Sequence, residues 1–417
     1  MSRVRNSVLI YACAFGVAGA TPFLLLPVLT RHLAPAQFGE VTSFLMFTAL
    51  LGSFAGVSAH GFASVRYFKT PPERFAPLVG TAVGVMALAH GLALAATWLL
   101  HPLLARYLDL PMAPSLMAVL AAFLLNLSLI WLALFQSSGQ AVRYLHMRLL
   151  QAALEVGLGI TLVVWVAAQA QARTGSYTAA LAASATYGAW LCYRRGLVRL
   201  RFEPSQVRSL LAFGVPLLPH IVAGTTIAYL DRLVVSSLLG PESLGLYMVA
   251  MQIGMTMVAV TEPLNKALAP WLFEQLSKED EPVKRMIVRR TYMLFAVLAV
   301  LGLAVAGLAH LLFDQLVSGP SYAPARALIP WMVGGFVMQG LYTSVVNYLF
   351  YAERTGRLSV VSAGTAAVGC CVSWLMTTHF GLQGAAMSFA FNSALLFVLV
   401  WTSAAKAVPM PWWPRAR

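Results

Sequence analysis

The chain has 417 residues, of which 59% are hydrophobic and 10% charged, and it carries a formal net charge of +14. A soluble domain of this length needs more charge to cover its surface, so the composition excludes a globular cytosolic protein and points to a polytopic membrane protein without a sizeable soluble domain. The basic excess falls in loops between apolar stretches, where it sets orientation and meets anionic lipid headgroups, which removes nucleic acid from the expected partners.

Crossing a bilayer core takes about 20 helical residues. Twelve stretches qualify: 7–30, 38–64, 77–102, 113–137, 149–169, 175–193, 209–236, 243–272, 290–313, 325–350, 358–378 and 382–405. The opening Met1-Ser-Arg-Val-Arg5 resembles that of a signal peptide. However, no small-x-small cleavage site precedes a polar region, so the first stretch reads as a retained span. The sixth is rich in small residues (Ala179-Ala-Leu-Ala-Ala-Ser184), which suits close helix packing in lipid. A basic linker, 196–208, separates an N-terminal bundle, 1–195, from a C-terminal one, 209–417. The segment Ser277–Arg290 mixes basic residues with Glu279, Asp280 and Glu281 and reads as a short surface helix. Cys13, Cys192, Cys370 and Cys371 lie in or beside apolar stretches with no zinc-site spacing. They read as packing residues, and no metal or cofactor is expected.

Lys and Arg alternate by loop. Of the 28, 22 lie at the two termini and in every second loop, and five (Arg31, Arg106, Arg173, Arg232, Arg326) lie on the opposite side; Lys266 falls inside a span. The positive-inside bias places both termini in the cytoplasm and makes the number of spans even.

The chain repeats. Leu33-Ala-Pro-Ala-Gln-Phe-Gly39 matches Leu239-Gly-Pro-Glu-Ser-Leu-Gly245, and Gly175-Ser-Tyr-Thr-Ala-Ala180 matches Gly381-Leu-Gln-Gly-Ala-Ala386, both at an offset of 206 residues. Six spans per half send both halves into the membrane in the same direction. The expected fold is therefore all-α: two parallel six-helix bundles related by a pseudo-twofold axis along the membrane normal.

Ionisable groups inside lipid are costly and face a cavity or a partner. Asp231-Arg232 sits at the outer end of the seventh span, where it also reads as an interfacial cap. Glu262 and Lys266 on the eighth are four apart, in the favourable order for a pair, and also read as a structural staple. His60 holds the repeat position of Lys266, with the alternative of a packed, hydrogen-bonded histidine; Arg66 follows toward the cytoplasm. Arg31 closes the first span on the outer side, and both arginines can snorkel to an interface. Glu155, inside the fifth span, must be protonated or paired. The cations Arg31, Arg66, Arg232, Lys266 and His60 fall on the first two helices of each repeat. A cleft lined by those helices is basic and suits an anionic substrate, whose phosphate oxygens match the arginine fork. Asp231, Glu155 and Glu262 are candidates for a coupling proton. There is no Walker loop, nucleophile elbow or paired metal-binding histidines, and a non-enzymatic role is expected.

Three segments in order, Leu26-Pro-Val-Leu-Thr-Arg31-His-Leu-Ala-Pro-Ala-Gln-Phe-Gly39, Asp231-Arg232 followed by Leu239-Gly-Pro-Glu-Ser-Leu-Gly-Leu-Tyr247, and His379-Phe-Gly-Leu-Gln-Gly-Ala-Ala386, resemble the polysaccharide transporter family, the Wzx-type oligosaccharide flippases. Arg31 and Asp231-Arg232 match the family text. The first-half Gly175 segment carries only half of the Gly-x-x-Gly-Ala-Ala pattern. The resemblance implies a bacterial inner-membrane flippase that moves an undecaprenyl-pyrophosphate-linked oligosaccharide to the periplasmic leaflet by alternating access. It would serve O-antigen, lipopolysaccharide, capsule or exopolysaccharide assembly, with bilayer lipids and polysaccharide assembly proteins as partners. A multidrug/cation antiporter of the same superfamily would need an acidic cavity. A membrane glycan polymerase or ligase would need a long periplasmic loop, which this topology lacks.

Overall fold

The computed structural model describes residues 2–199, 201–278 and 280–412, with the side chains of 2–9, 106–108 and 355 set aside. Arg415, Arg417 and Glu279 therefore lie outside the described residues. In chain order the helices are α1 (Ser2–His32), α2 (Pro35–Ala55), α3 (Ala59–Tyr67), α4 (Pro72–Leu108), α5 (Met112–Ser137), α6 (Ala141–Thr161) and α7 (Ala170–Arg194). There follow α8 (Pro204–Gly214), α9 (Leu218–Gly254), α10 (Thr256–Leu276), α11 (Glu281–Leu311), α12 (Phe313–Leu316), α13 (Ile329–Tyr351) and α14 (Thr355–Ala407). No strand occurs among the described residues.

Among the described residues, nine helical stretches are long and apolar enough to cross a membrane. Two of them hold a pair of crossings each. Residues 204–276 are broken at Gly240 (φ 78°) and residues 356–407 at Gly381 (φ 58°). A left-handed residue at these tight reversals calls for glycine, which has no Cβ to clash. With α7, too rich in small and polar residues to count by hydropathy, the described residues hold twelve candidate crossings.

The chain separates into two compact units, one up to Gly245 and the other from Leu246. In the first, α5 is the central post: α2, α3, α4 and α7 pack on it, and α6 bridges α7 to α1. Phe62, Phe75, Ile130, Trp131 and Phe135 form one fully buried cluster. Phe44, Met46, Ala118 and Leu181 form a second, against which Tyr177, Tyr229 and Leu233 also pack. The basic linker is docked on α4: the Arg199 amide donates to the Ala76 carbonyl (3.0 Å) and Thr81 Oγ1 accepts from the Glu203 amide (3.0 Å). In the second unit, α13 packs against α10, α11 and α14.

The Leu33–Gly39 and Leu239–Gly245 segments have the same build. Each breaks the helix one residue before a proline that starts the next, where its missing N–H costs nothing. They also meet. A Cβ on Gly39 would overlap the Pro241 carbonyl oxygen, and a Cβ on Gly245 would overlap the Pro35 carbonyl oxygen. Gly39 and Gly245 are repeat partners, as are Pro35 and Pro241, so the contact is reciprocal under the internal repeat.

Three expectations are corrected. Gly175 is not the structural partner of Gly381. It lies inside α7, and the first-half reversal comes earlier, at Ala167–Gln169, after a wide turn at Leu162–Val166. With α7 ending at Arg194 and α14 at Ala407, the register between halves has slipped by about two helical turns since the Pro35/Pro241 end. The second span is not continuous through 38–64. It breaks after α2, where Val57 (φ 46°) and Ser58 (φ 51°) adopt the left-handed region, a strained state for a β-branched residue. Packing enforces the break: Asn126 Nδ2 donates to the Gly52 carbonyl (3.1 Å), and a Cβ on Gly56 would sit 2.5 Å from Asn126 Oδ1. Finally, Ser277–Arg290 forms no separate surface helix. From Glu281 on it is the first turns of α11, which runs unbroken to Leu311 because Pro282 opens it and no later residue interrupts it.

Candidate intramembrane ionic site

In the first unit, Glu155 on α6 faces Arg173 on α7 across the reversal that joins them. Arg173 Nη2 donates to Glu155 Oε1 at 2.6 Å, with side chains 6% and 14% exposed. The Arg173 guanidinium lies 5.8 Å from the Tyr177 ring centre, and its Nε and Nη1 are buried without a hydrogen-bond partner. A guanidinium so placed uses a fraction of its five donors. Arg148 lies two turns before Glu155 on the same face of α6, with its guanidinium 5.9 Å from the Tyr144 ring. The sequence singles out Glu155 but not its partner, because Arg173 falls between two apolar stretches, where its neighbours give no sign of burial. The polar run Gln169-Ala-Gln-Ala-Arg173, which is the N-cap and first turn of the small-residue helix α7, is the signal that Arg173 starts a span.

Asp231 and Arg232 on α9 pair at 3.6 Å with side chains only 18% and 12% exposed. Arg232 Nη1 also donates to the Ala228 carbonyl, and its guanidinium lies 4.9 Å from the Tyr229 ring. Tyr229 and Tyr177 pack against the same apolar cluster, so the two ion pairs flank one aromatic seam. Arg66 and His60 both follow the break at Val57–Ser58, on α3. Arg66 Nη2 donates to Ser209 Oγ on α8 (2.6 Å) and stacks over Phe62 at 5.4 Å; His60 is exposed. Discontinuous helices at such points are a recurring way to line an ion or substrate path. Arg31 is exposed in the last turn of α1, where its charge complements the helix C-terminus.

In the second unit the Glu262–Lys266 pair forms along α10 at 3.6 Å, with side chains 37% and 65% exposed. The structure thus pairs each candidate acid with a base: Glu155 with Arg173, Asp231 with Arg232 and Glu262 with Lys266. Arg31, Arg66 and Arg148 stand in excess of these pairs.

A protein family described as "Polysaccharide biosynthesis protein" matches residues 4–276. An uncharacterized membrane protein of Haemophilus influenzae is 27% identical over 373 residues, 87% of each chain. Lsg locus putative protein 1 of the same organism is 22% identical over 357 residues, 82% of this chain and 83% of that one. Among solved structures, the lipid II flippase MurJ in an inward closed conformation aligns with a TM-score of 0.73 and 11% identity over 95% of this chain and 87% of that one. An inward-facing multidrug resistance MATE transporter of the MOP superfamily aligns with a TM-score of 0.66 and 12% identity over 95% and 94%. At these identities the likeness is one of fold: the all-helical, two-lobed, multi-pass membrane architecture expected from the repeat.

Proposed function

The chain belongs to the polysaccharide biosynthesis protein family, and from that premise we propose that it flips a lipid-linked oligosaccharide. The cargo is an undecaprenyl-pyrophosphate-linked glycan. It moves from the cytoplasmic to the periplasmic leaflet of a bacterial inner membrane by alternating access, with both termini of the carrier cytoplasmic. One observation carries the reading. The three candidate acids are each matched by a base, and the residual charge of the candidate set is positive, which favours an anion over a cationic drug.

Arg232, Lys266, Arg31, Arg66 and His60 are the groups that meet the pyrophosphate. Arginine offers it a planar fork, and lysine a compact charge. The paired acids then act as internal counter-ions. A phosphate arriving at Arg232 or Lys266 displaces Asp231 or Glu262, and a proton taken up by the displaced carboxylate keeps the site's charge balanced. Glu155 is the third candidate for the coupling proton; closed on Arg173, it takes one up only when α6 and α7 part. The carrier itself makes and breaks no covalent bond.

The test is complementation of a strain lacking its own glycan flippase. Arg232→Ala and Lys266→Ala should each abolish surface glycan while lipid-linked precursor accumulates on the cytoplasmic side and protein level stays normal. Surface glycan at the wild-type level in both variants would sink the reading. Glycan lost together with a long periplasmic loop mapped by reporter fusions would favour a polymerase instead.

A further inference from the structure

A cavity of about 250 Å³ lies wholly within the second unit, between α10, α11 and α13. At one end the helices touch: a Cβ on Gly340 would sit 2.6 Å from Thr261 Cγ2 and 3.5 Å from Leu298 Cδ1. From there the slot runs past Leu268 and Leu294 to a mouth framed by Trp271 and Arg290. Leu264 to Leu272 along its wall spans eight helical steps, about 12 Å of helix.

Several polar groups of the wall are already bonded, the Thr343 and Ser344 hydroxyls to the Gly340 and Leu341 carbonyls of their own helix. Asn347 Nδ2 donates to Asn265 Oδ1 (2.7 Å) and to the Thr343 carbonyl (3.1 Å), and the Thr291 hydroxyl bonds Tyr348 (3.1 Å) and the Ile287 carbonyl (3.0 Å). The Asn347–Asn265 and Thr291–Tyr348 bonds tie α13 to α10 and to α11, and leucine remains the main surface of the bore. A sugar would ask for open donors along that bore; a hydrocarbon chain does not. The mouth has the opposite character. The Arg290 guanidinium lies 4.9 Å from the Trp271 ring centre, and among the described residues no acidic one lines the slot. Lys284, Arg285 and Arg289 precede it on α11. A tryptophan stacked under an arginine at the polar end of an apolar slot is the arrangement of a headgroup-level anchor.

We propose that this slot binds one anionic phospholipid, with its phosphate on Arg290 and one acyl chain in the bore between α10, α11 and α13. The apolar run of about 12 Å holds a stretch of one acyl chain, and the proposed occupant is a resident lipid and not the cargo. This inference does not depend on the carrier reading, since neither Arg290 nor the slot is part of the ionic set above.

Native mass spectrometry of the full-length protein, delipidated and titrated with phosphatidylglycerol or phosphatidylcholine, tests it. Phosphatidylglycerol should be retained about tenfold better, the worth of one charge-assisted contact. Arg290→Gln should erase that preference, and Leu294→Trp should reduce retention of both lipids by filling the bore. Arg285→Gln, on the same helix but outside the slot, should change neither. Circular dichroism and a thermal melt verify that each variant is folded. Equal retention of the two lipids by the wild type, or loss in Arg285→Gln matching that in Arg290→Gln, overturns the proposal. So does displacement of phosphatidylglycerol by equimolar polyprenyl pyrophosphate, which would give the slot to the cargo.

Discussion

Glu155–Arg173 in the first unit and Glu262–Lys266 in the second contain the same two kinds of charge, yet they are different objects. The first pair is at 2.6 Å with both side chains less than one-sixth exposed; the second is at 3.6 Å on an open helix face. Ions removed from water depend on each other, because each has lost its hydration and regains it only through the partner. Ions that remain accessible gain little from pairing and can exchange partners. The first pair is therefore built to hold two helices, and the second to let go. On the proposed flippase reading, the weaker pair is the one suited to taking up and releasing an anion.

The comparison breaks most sharply at Arg173. Arg173→Ala leaves the Glu155 carboxylate buried without a counter-charge and should destabilise the first unit by about 3–5 kcal/mol, read as a lowered melting temperature in detergent. If the variant melts with the wild type, the pair is not what joins α6 to α7. Removing both charges, as Glu155→Gln with Arg173→Met, should recover most of that loss, since the cost lies in the orphaned ion more than in the missing bond. Reversing the order, Glu155→Arg with Arg173→Glu, should recover less, because the Tyr177 ring favours a cation and not a carboxylate beside it. At the small end, Lys266→Ala should change stability by no more than about 1 kcal/mol. A double-mutant cycle over Glu262 and Lys266 should give a coupling near zero in high salt. A large coupling there would erase the distinction between the pairs.

Much of the architecture was legible in the sequence, and the reasons are physical. Apolar length and basic alternation report directly on the bilayer. The Leu33–Gly39 and Leu239–Gly245 segments carry turn chemistry in their glycine and proline, and the spacing of Glu262 and Lys266 is that of one helix face. What stayed hidden depended on packing at a distance. The break at Val57–Ser58 is imposed by Asn126 from another helix, through a β-branched residue that by itself argues for no such turn. Gly175 matches Gly381 in text, but the extra turns accumulated between them put it inside a helix. Arg173 looked like a loop residue because its burial comes from α6 and not from its neighbours in the chain. The charged start of α11 looked like a surface segment because helices project past the membrane without any change in backbone.

Gly39 seats on the Pro241 backbone and Gly245 on the Pro35 backbone. Main chain meets main chain there, so parting the two strands of peptide frees no rotamers and rejoining them freezes none. A latch of that kind opens and shuts with little entropic toll. Because each half supplies the same knob and the same notch, an alanine at either glycine wedges both notches at once.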